Sequence, residues 1–163
     1  MSPKVTIDTL EKILNRNLAW ISAADAKVAP TLAISTAMLG TLAAFFASAV
    51  HLSWIPIASL CASVLLLLLC VLFLGMAIFP RTRGPVNSVI FFEAIAGMPK
   101  ARYFRIIAEL TDDDLYHDFA EQAHRNAEIA TAKYKSIRCA MACLLASIPL
   151  WLISIWQLWQ FRR

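Results

Sequence analysis

The chain has 163 residues, of which 60% are hydrophobic and 16% charged, and its formal net charge is +4. Soluble domains average roughly 45–50% apolar and about 25% charged residues, so this composition excludes an ordinary soluble globular domain and indicates contact with lipid. The four cysteines, Cys61, Cys70, Cys139 and Cys143, lie in apolar stretches, and we interpret them as small buried side chains rather than a disulfide framework.

Residues 1–28 are predicted to form an amphipathic helix on the cytoplasmic side. Apolar side chains recur there every three or four positions, at Ile7, Leu10, Leu14, Leu18 and Ile21. The helix should lie along the membrane or pack against another cytoplasmic helix. Pro30 removes a backbone donor and crowds the preceding turn, which predicts a kink near Lys27.

Two uncharged stretches predict three transmembrane helices. No Asp, Glu, Lys or Arg occurs from Val28 to Pro80 or from Cys139 to Phe161. Since about 20 helical residues cross a bilayer, we place spans at 29–50, 57–79 and 139–160, with a turn at 51–56 that contains Trp54 and Pro56. The first span has small residues at helical spacing, which favours close helix packing: Ala33, Ala37, Gly40, Ala44, Ala47 and Ser48.

The segment 81–138 is predicted to be helical and cytoplasmic. Thr111 followed by Asp112, Asp113 and Asp114 has the form of a helix N-cap with acids in the first turn. No glycine or proline interrupts the following pattern before Pro149, so this helix should continue into the third span over about 48 residues, roughly 70 Å. Its predicted inner stripe is Leu115, Phe119, Gln122, Asn126, Ile129, Lys133 and Ile137.

The distribution of basic residues predicts the topology. Four Lys and Arg precede the first span, nine lie between Arg81 and Arg138, and two end the chain. The positive-inside rule therefore places the N-terminus and 81–138 in the cytoplasm and the C-terminus in the periplasm. Arg162 and Arg163 would then anchor the helix end at the interface.

Five basic residues form a candidate ligand site near the membrane: Arg81, Arg83, Lys100, Arg102 and Arg105. They are either topology determinants that contact anionic lipid, or phosphate ligands, a role that arginine suits by its bidentate geometry. No catalytic motif is recognisable, and we expect neither an enzyme nor a nucleic-acid partner. Capping explains the three aspartates. His117 and His124 lie seven residues apart on one face, and we interpret them as surface or packing histidines rather than a metal pair, which would need a third ligand within a turn, so we expect no metal.

Motifs spread over most of the chain resemble the transmembrane effectors of the Pycsar antiphage system. They are Ala24 to Lys27 before the first span, Phe91 and Phe92 after the second, and a series that leads into the third. Across these motifs the positions that match by residue type include Asp25, Lys27, Asp118, Gln122, Asn126, Lys133, Tyr134 and Arg138.

The resemblance implies an all-α effector of the bacterial inner membrane that responds to cyclic UMP or cyclic CMP from a partner cyclase. It would impair the membrane so that the infected cell dies, and it would act as a homo-oligomer, since three helices enclose little of a pore. The short segment 81–138 leaves no room for a cyclic-nucleotide-binding β-barrel, so the ligand site must be helical. The alternatives are a non-gated scaffold or accessory subunit that recruits a cytoplasmic partner, and a holin-like pore former.

Overall fold

A computed structural model of the chain describes residues 5–49, 53–79, 84–85 and 88–161. The fold over these residues is all-α, as predicted. Three helical stretches among them are long and apolar enough to cross a membrane: Ile7–Ala47, Trp54–Ile78 and Asp112–Gln160. The helices are α1 (Ile7–Asp25), α2 (Val28–Ala47), α3 (Trp54–Ile78), α4 (Phe92–Ala96), α5 (Lys100–Glu109) and α6 (Asp112–Gln160).

The junction of α1 and α2 lies where the sequence predicts a kink. Helix α1 ends at Asp25 and α2 begins at Val28, and between them the Lys27 N–H donates to the Ala24 carbonyl over 3.1 Å, a tight-turn bond. At its other end α1 is capped by Thr6, whose Oγ1 accepts the Thr9 N–H at 3.3 Å. Local residue chemistry therefore sets both ends of α1.

Helix α3 begins earlier than the predicted span. Its first residue is Trp54, and Pro56 lies within its first turn, whereas the prediction began the span at 57. A proline there costs no hydrogen bond, because the first N–H groups of any helix have no intrahelical acceptor. Pro56 is thus compatible with a helix that starts before it, and the span boundaries themselves stay predictions.

The chain divides into two compact units. Unit 1 comprises Met1–Ala23 and Pro80–Ala132. In unit 1, α1 packs on α6: Leu10, Leu14 and Ala123 are buried, and the Asn17 side-chain amide donates to the Ala123 carbonyl at 2.8 Å. Of the two arrangements expected for the N-terminal helix, this is packing against another helix.

Unit 2 comprises Ala24–Phe79 and Lys133–Arg163, which contribute α2, α3 and the C-terminal part of α6. Its core combines small and large apolar side chains: Ala24, Val28, Cys70, Leu74, Ala77, Ile137 and Ala140. Large apolar side chains of α3 and α6 are exposed on its outside, where lipid would contact them, and these include Leu65, Leu72, Leu145 and Leu152.

Several polar side chains within unit 2 form hydrogen bonds to another helix. Ser59 Oγ donates to Gln157 Oε1 at 2.7 Å, and Ser154 Oγ lies 3.3 Å from Ser59 Oγ. The Trp151 indole N–H donates to the Met38 carbonyl over 3.1 Å. In a hydrocarbon environment an unsatisfied polar group costs several kcal/mol, so these bonds make the polar residues tolerable and link the helices.

Helix α6 is continuous from Asp112 to Gln160, and it contributes to both units. Its interior contains Pro149 but no glycine. Every residue of the predicted inner stripe is buried or half-buried: Leu115, Phe119, Gln122, Asn126, Ile129, Lys133 and Ile137. The heptad-like spacing therefore identified correctly which side of the helix is covered.

Candidate functional site

Four residues at the junction of α1 and α2 and in α6 form what we name the Asp25–Lys133 cluster: Asp25, Lys27, Lys133 and Tyr134. The Lys133 ammonium lies 2.5 Å from Asp25 Oδ1, across 108 positions of sequence. The Lys133 side chain is 12% exposed and the Asp25 side chain 47%. A cation with so little access to water is stable here because its carboxylate partner compensates for lost hydration.

The second contact of the cluster is aromatic. Lys27 Nζ lies 5.1 Å from the centre of the Tyr134 ring, within the range of cation–π attraction. The two contacts thus involve neighbouring residues of α6, Lys133 and Tyr134. Arg138, a third basic residue of this part of α6, is exposed. The cluster holds the junction of α1 and α2 against α6 inside unit 2.

A second set of residues in unit 1 forms the Ser88 anchor: Ser88, Val89, Asp118 and Gln122. Gln122, only 4% exposed, donates its side-chain amide to Ser88 Oγ over 3.0 Å. Asp118 Oδ2 accepts the Val89 N–H at 2.8 Å. These bonds hold the segment that precedes α4 against α6.

Further contacts reinforce the anchor from both sides. Ser88 Oγ also accepts the N–H groups of Ile90 and Phe91, so that one hydroxyl organises the turn. Asn126 donates its side-chain amide to the Gln122 carbonyl, one turn earlier on α6, at 2.8 Å. A Cβ at Gly84 would lie 2.6 Å from the Phe91 ring, so this close approach requires glycine.

The basic residues predicted to contact phosphate are only partly brought together. Arg81 and Arg83 lie outside the described residues. Lys100, Arg102 and Arg105 lie on α5 and are exposed. At about 100° per residue, Arg102 and Arg105 share one face while Lys100 is turned some 140–160° away.

Lys100 instead shares its face of α5 with an aromatic ring. Its Nζ lies 5.7 Å from the centre of the Phe104 ring, and Phe104 is 59% exposed. Helix α5 therefore presents a basic pair, Arg102 and Arg105, on one side and a cation beside an exposed ring on another.

Two cavities of unit 1 have acidic linings. One of about 650 Å³ contacts Asp112, Asp113 and Tyr116, and one of about 420 Å³ contacts Glu109, Asp114 and Asp118. Carboxylates repel a phosphate, so neither cavity suits the phosphate of a nucleotide. In the described part of the chain no group of three or more His, Cys, Asp or Glu side chains is placed to hold a metal.

The predicted N-cap of α6 is present. Asp114 N–H donates to Thr111 Oγ1 at 3.2 Å, while the Thr111 hydroxyl and N–H donate to Asp114 Oδ2 at 2.5 and 3.1 Å. The Thr111 hydroxyl, and then its backbone N–H, lower the pKa of Asp114 below its usual value because they bind the charged form. Its role in the N-cap therefore explains why an acidic residue is present at position 114.

The sequence model of the Pycsar effector protein domain matches residues 9–158, nearly the whole chain. The chain belongs to the Pycsar effector family. Neither a curated protein nor a solved structure matches it. Membership gives this Pycsar effector a role in the Pycsar antiphage system, within a family of effectors that are not enzymes.

In this Pycsar effector, seven of the eight positions named for the resemblance lie at the two sets of contacts described above, and the eighth, Arg138, is exposed. Asp25, Lys27, Lys133 and Tyr134 form the Asp25–Lys133 cluster. Asp118 and Gln122 belong to the Ser88 anchor, which Asn126 reinforces. Both sets bind distant parts of the chain to α6, so each is placed to influence how that helix is held.

Sequence reasoning missed Ser88 and Trp151. Ser88 is nearly inaccessible, and its position three residues before Phe91 is a local signal, since serine often accepts backbone N–H groups two or three residues on. The Trp151 bond to the Met38 carbonyl joins residues 113 positions apart, and no local pattern points to it.

Proposed function

We propose that this chain is the membrane effector of a Pycsar system that a cyclic pyrimidine nucleotide, cyclic UMP or cyclic CMP, activates. On binding the nucleotide it oligomerises and impairs the inner membrane, and the infected cell dies before phage are released. The observation that carries the proposal is the family match over residues 9–158 of a chain with three helices of membrane-spanning length.

The nucleotide phosphate is proposed to bind the two arginines of α5. Arg102 and Arg105 share an exposed face of that helix and offer bidentate donors. Lys100 lies on another side of α5, beside the exposed Phe104 ring, so it does not contact the same phosphate as this arginine pair. Arg81 and Arg83 precede this helix in sequence and complete the set of proposed phosphate ligands.

Helix α6 is proposed to transmit the effect of nucleotide binding to the bilayer. Its N-terminal residues belong to unit 1, its C-terminal residues belong to unit 2, and the helix is unbroken between them. A nucleotide can shift the protein between two arrangements only if it binds one of them more tightly. The Ser88 anchor and the Asp25–Lys133 cluster both contact α6 and are the contacts proposed to differ between the two arrangements.

Dye release from proteoliposomes tests the proposal. The purified chain should release dye with cyclic UMP or cyclic CMP, and much less with cyclic AMP, cyclic GMP or no ligand. Arg102→Ala with Arg105→Ala should weaken nucleotide binding at least tenfold, because each charge-assisted hydrogen bond contributes about 1.5–3 kcal/mol. Lys12→Ala, an exposed basic residue of α1 paired with Asp8, is the matched control and should bind as the parent does.

Two other functions would be recognised by the same assay. Release that is equal with and without nucleotide would favour a holin-like pore former. No release under any condition, with intact insertion, would favour a scaffold or accessory subunit that recruits a cytoplasmic partner. Either result would contradict the gated effector.

The proposed location is the bacterial inner membrane, with the N-terminus and residues 81–138 cytoplasmic and the C-terminus periplasmic. The excess of Lys and Arg in those two segments supports it. Alkaline phosphatase fused after residue 163 should be active and green fluorescent protein dark there, with the reverse at the N-terminus. A fluorescent C-terminal fusion would contradict the three-span topology.

A further inference from the structure

A groove in unit 2 is lined by both apolar and charged residues, as expected of a site that binds an amphiphilic molecule. Its volume is about 350 Å³, within the range of small-molecule sites. Four apolar side chains form most of its wall, and two charged residues, Asp25 and Lys133, lie at its edge. The apolar lining residues are Val28, Ala29, Leu32 and Ile78. Ala29 and Ile78 are exposed, so the groove is open at the surface of the unit.

The groove lies at the boundary between charged and apolar sequence. Val28 begins the long uncharged stretch, Ile78 is the last residue of α3, and Lys133 precedes the second uncharged stretch by less than two turns. Charged residues are costly in hydrocarbon and uncharged stretches of this length fill it, so this boundary marks the depth of the lipid headgroups. The apolar lining then faces acyl chains.

The charges at the edge of the groove favour an anion. Asp25 is paired with Lys133, while the neighbouring Lys27 makes a cation–π contact with Tyr134. In an ion pair the two charges neutralise each other, whereas a cation–π contact leaves the ammonium able to bind an anionic oxygen. The groove's own charges cancel, but Lys27 is next to the lining residue Val28 in sequence and is exposed. Two lysines against one carboxylate therefore give the Asp25–Lys133 cluster, which adjoins the groove, a net charge of +1 that complements an anionic headgroup and disfavours a purely cationic one.

We propose that this groove binds one anionic phospholipid. The lipid phosphate contacts Lys27 beside the groove, and one acyl chain lies along Val28, Ala29, Leu32 and Ile78. This site is separate from the nucleotide contacts proposed on α5, and it does not depend on them. A lipid bound there would change the stability of the contact between α2 and α6.

Native mass spectrometry of the full chain in detergent can test the site. Phosphatidylglycerol and phosphatidylcholine with the same acyl chains are added in turn, and the bound fraction is measured. The parent should retain phosphatidylglycerol better. Lys27→Gln should lower its retention about fivefold, the effect of one lysine near a lipid surface. Ala29→Trp, at an exposed position that projects into the groove, should reduce retention of both lipids.

Lys135→Gln is the matched control, because it removes the same charge from an exposed residue of α6 that belongs neither to the groove nor to the Asp25–Lys133 cluster. It should retain phosphatidylglycerol as the parent does. Equal retention of the two lipids by the parent, or equal losses in Lys27→Gln and Lys135→Gln, would overturn the proposal. Displacement of the lipid by millimolar glycerol 3-phosphate would assign the contact to free phosphate and overturn it as well. Circular dichroism confirms that each variant remains helical.

Discussion

The two charges of the Asp25–Lys133 pair differ in their access to water, and this makes the two residues unequal in importance. Lys133 is 12% exposed while Asp25 is 47% exposed. Removal of Asp25 leaves a nearly buried ammonium without its counter-ion, whereas removal of Lys133 leaves a carboxylate that water can still reach. The lysine therefore depends on the aspartate more than the reverse.

We expect Asp25→Ala to destabilise the protein by about 1–3 kcal/mol, and Lys133→Met, which keeps the apolar stem, by less. Thermal unfolding in detergent, followed by circular dichroism, measures both. The exchange Asp25→Lys with Lys133→Asp should recover part of the loss. Equal losses for the two single variants would show that packing, rather than charge, dominates at this position.

The Thr111–Asp114 cap predicts a pH dependence at the start of α6. The hydroxyl and N–H of Thr111 depress the pKa of Asp114 in the folded protein. The resulting stabilisation is complete above the ordinary aspartate pKa of about 3.9, and it is lost as the pH falls through the lower folded pKa. It is therefore fully present at neutral pH.

Thr111→Val removes the hydroxyl and keeps the backbone N–H, so the pKa of Asp114 should rise toward its ordinary value. A carboxyl-carbon NMR titration of selectively labelled protein measures this shift. An unchanged Asp114 titration would mean that the cap does not persist in solution.

At the scale of helices, local chemistry was enough to predict some features, while others depend on distant residues. The start of α6 follows from Thr111 and Asp114, which are three residues apart. Helix α3 begins at Trp54, three residues before the predicted span, and its first turn accepts Pro56. The Asp25–Lys133 contact joins residues 108 positions apart, so no local periodicity could predict it.

A proline at Thr131 should uncouple ligand binding from membrane damage. Thr131 is exposed in the middle of α6, and its hydroxyl bonds to the Ala127 carbonyl. Proline there removes a backbone hydrogen bond and crowds the preceding turn, at a cost of roughly 3 kcal/mol of helix stability. The variant should still bind cyclic UMP or cyclic CMP by calorimetry but release no dye from liposomes.

Thr131→Ala keeps the helix and should behave as the parent does. Full dye release by Thr131→Pro would contradict a role for α6 as the connection between ligand and bilayer. Loss of nucleotide binding as well would place the ligand site on α6 itself rather than on α5.

At the scale of the whole molecule, α2 offers the surface on which copies can meet. Its exposed residues include Ala33, Ala37, Gly40 and Ala44, all small, whereas exposed positions of α3 include Leu65, Leu68 and Leu72. Small side chains allow two helices to approach closely in a membrane. Helix α2 is therefore the expected contact between copies.

Gly40→Leu should weaken self-association by about 1 kcal/mol or more. A Cβ at Gly40 meets no atom of the same chain within 4 Å, so the single copy should tolerate the substitution. Gly75 of α3 is equally open, and Gly75→Leu is the matched control. Chemical crosslinking in vesicles should show fewer oligomers only for Gly40→Leu; equal yields for both variants would exclude α2 as the interface.

The hydrogen bonds between the helices of unit 2 predict how the proposed membrane permeation should depend on protein concentration. A water-filled path through one copy would first have to separate bonded pairs such as Ser59 with Gln157 and Trp151 with Met38. Bonds of this kind contribute about 0.6–1.7 kcal/mol each in membranes, and a path between copies leaves them intact. Permeation should then follow a high reaction order in protein: halving the protein-to-lipid ratio should slow release by much more than half. A strictly proportional rate would mean that each copy opens by itself.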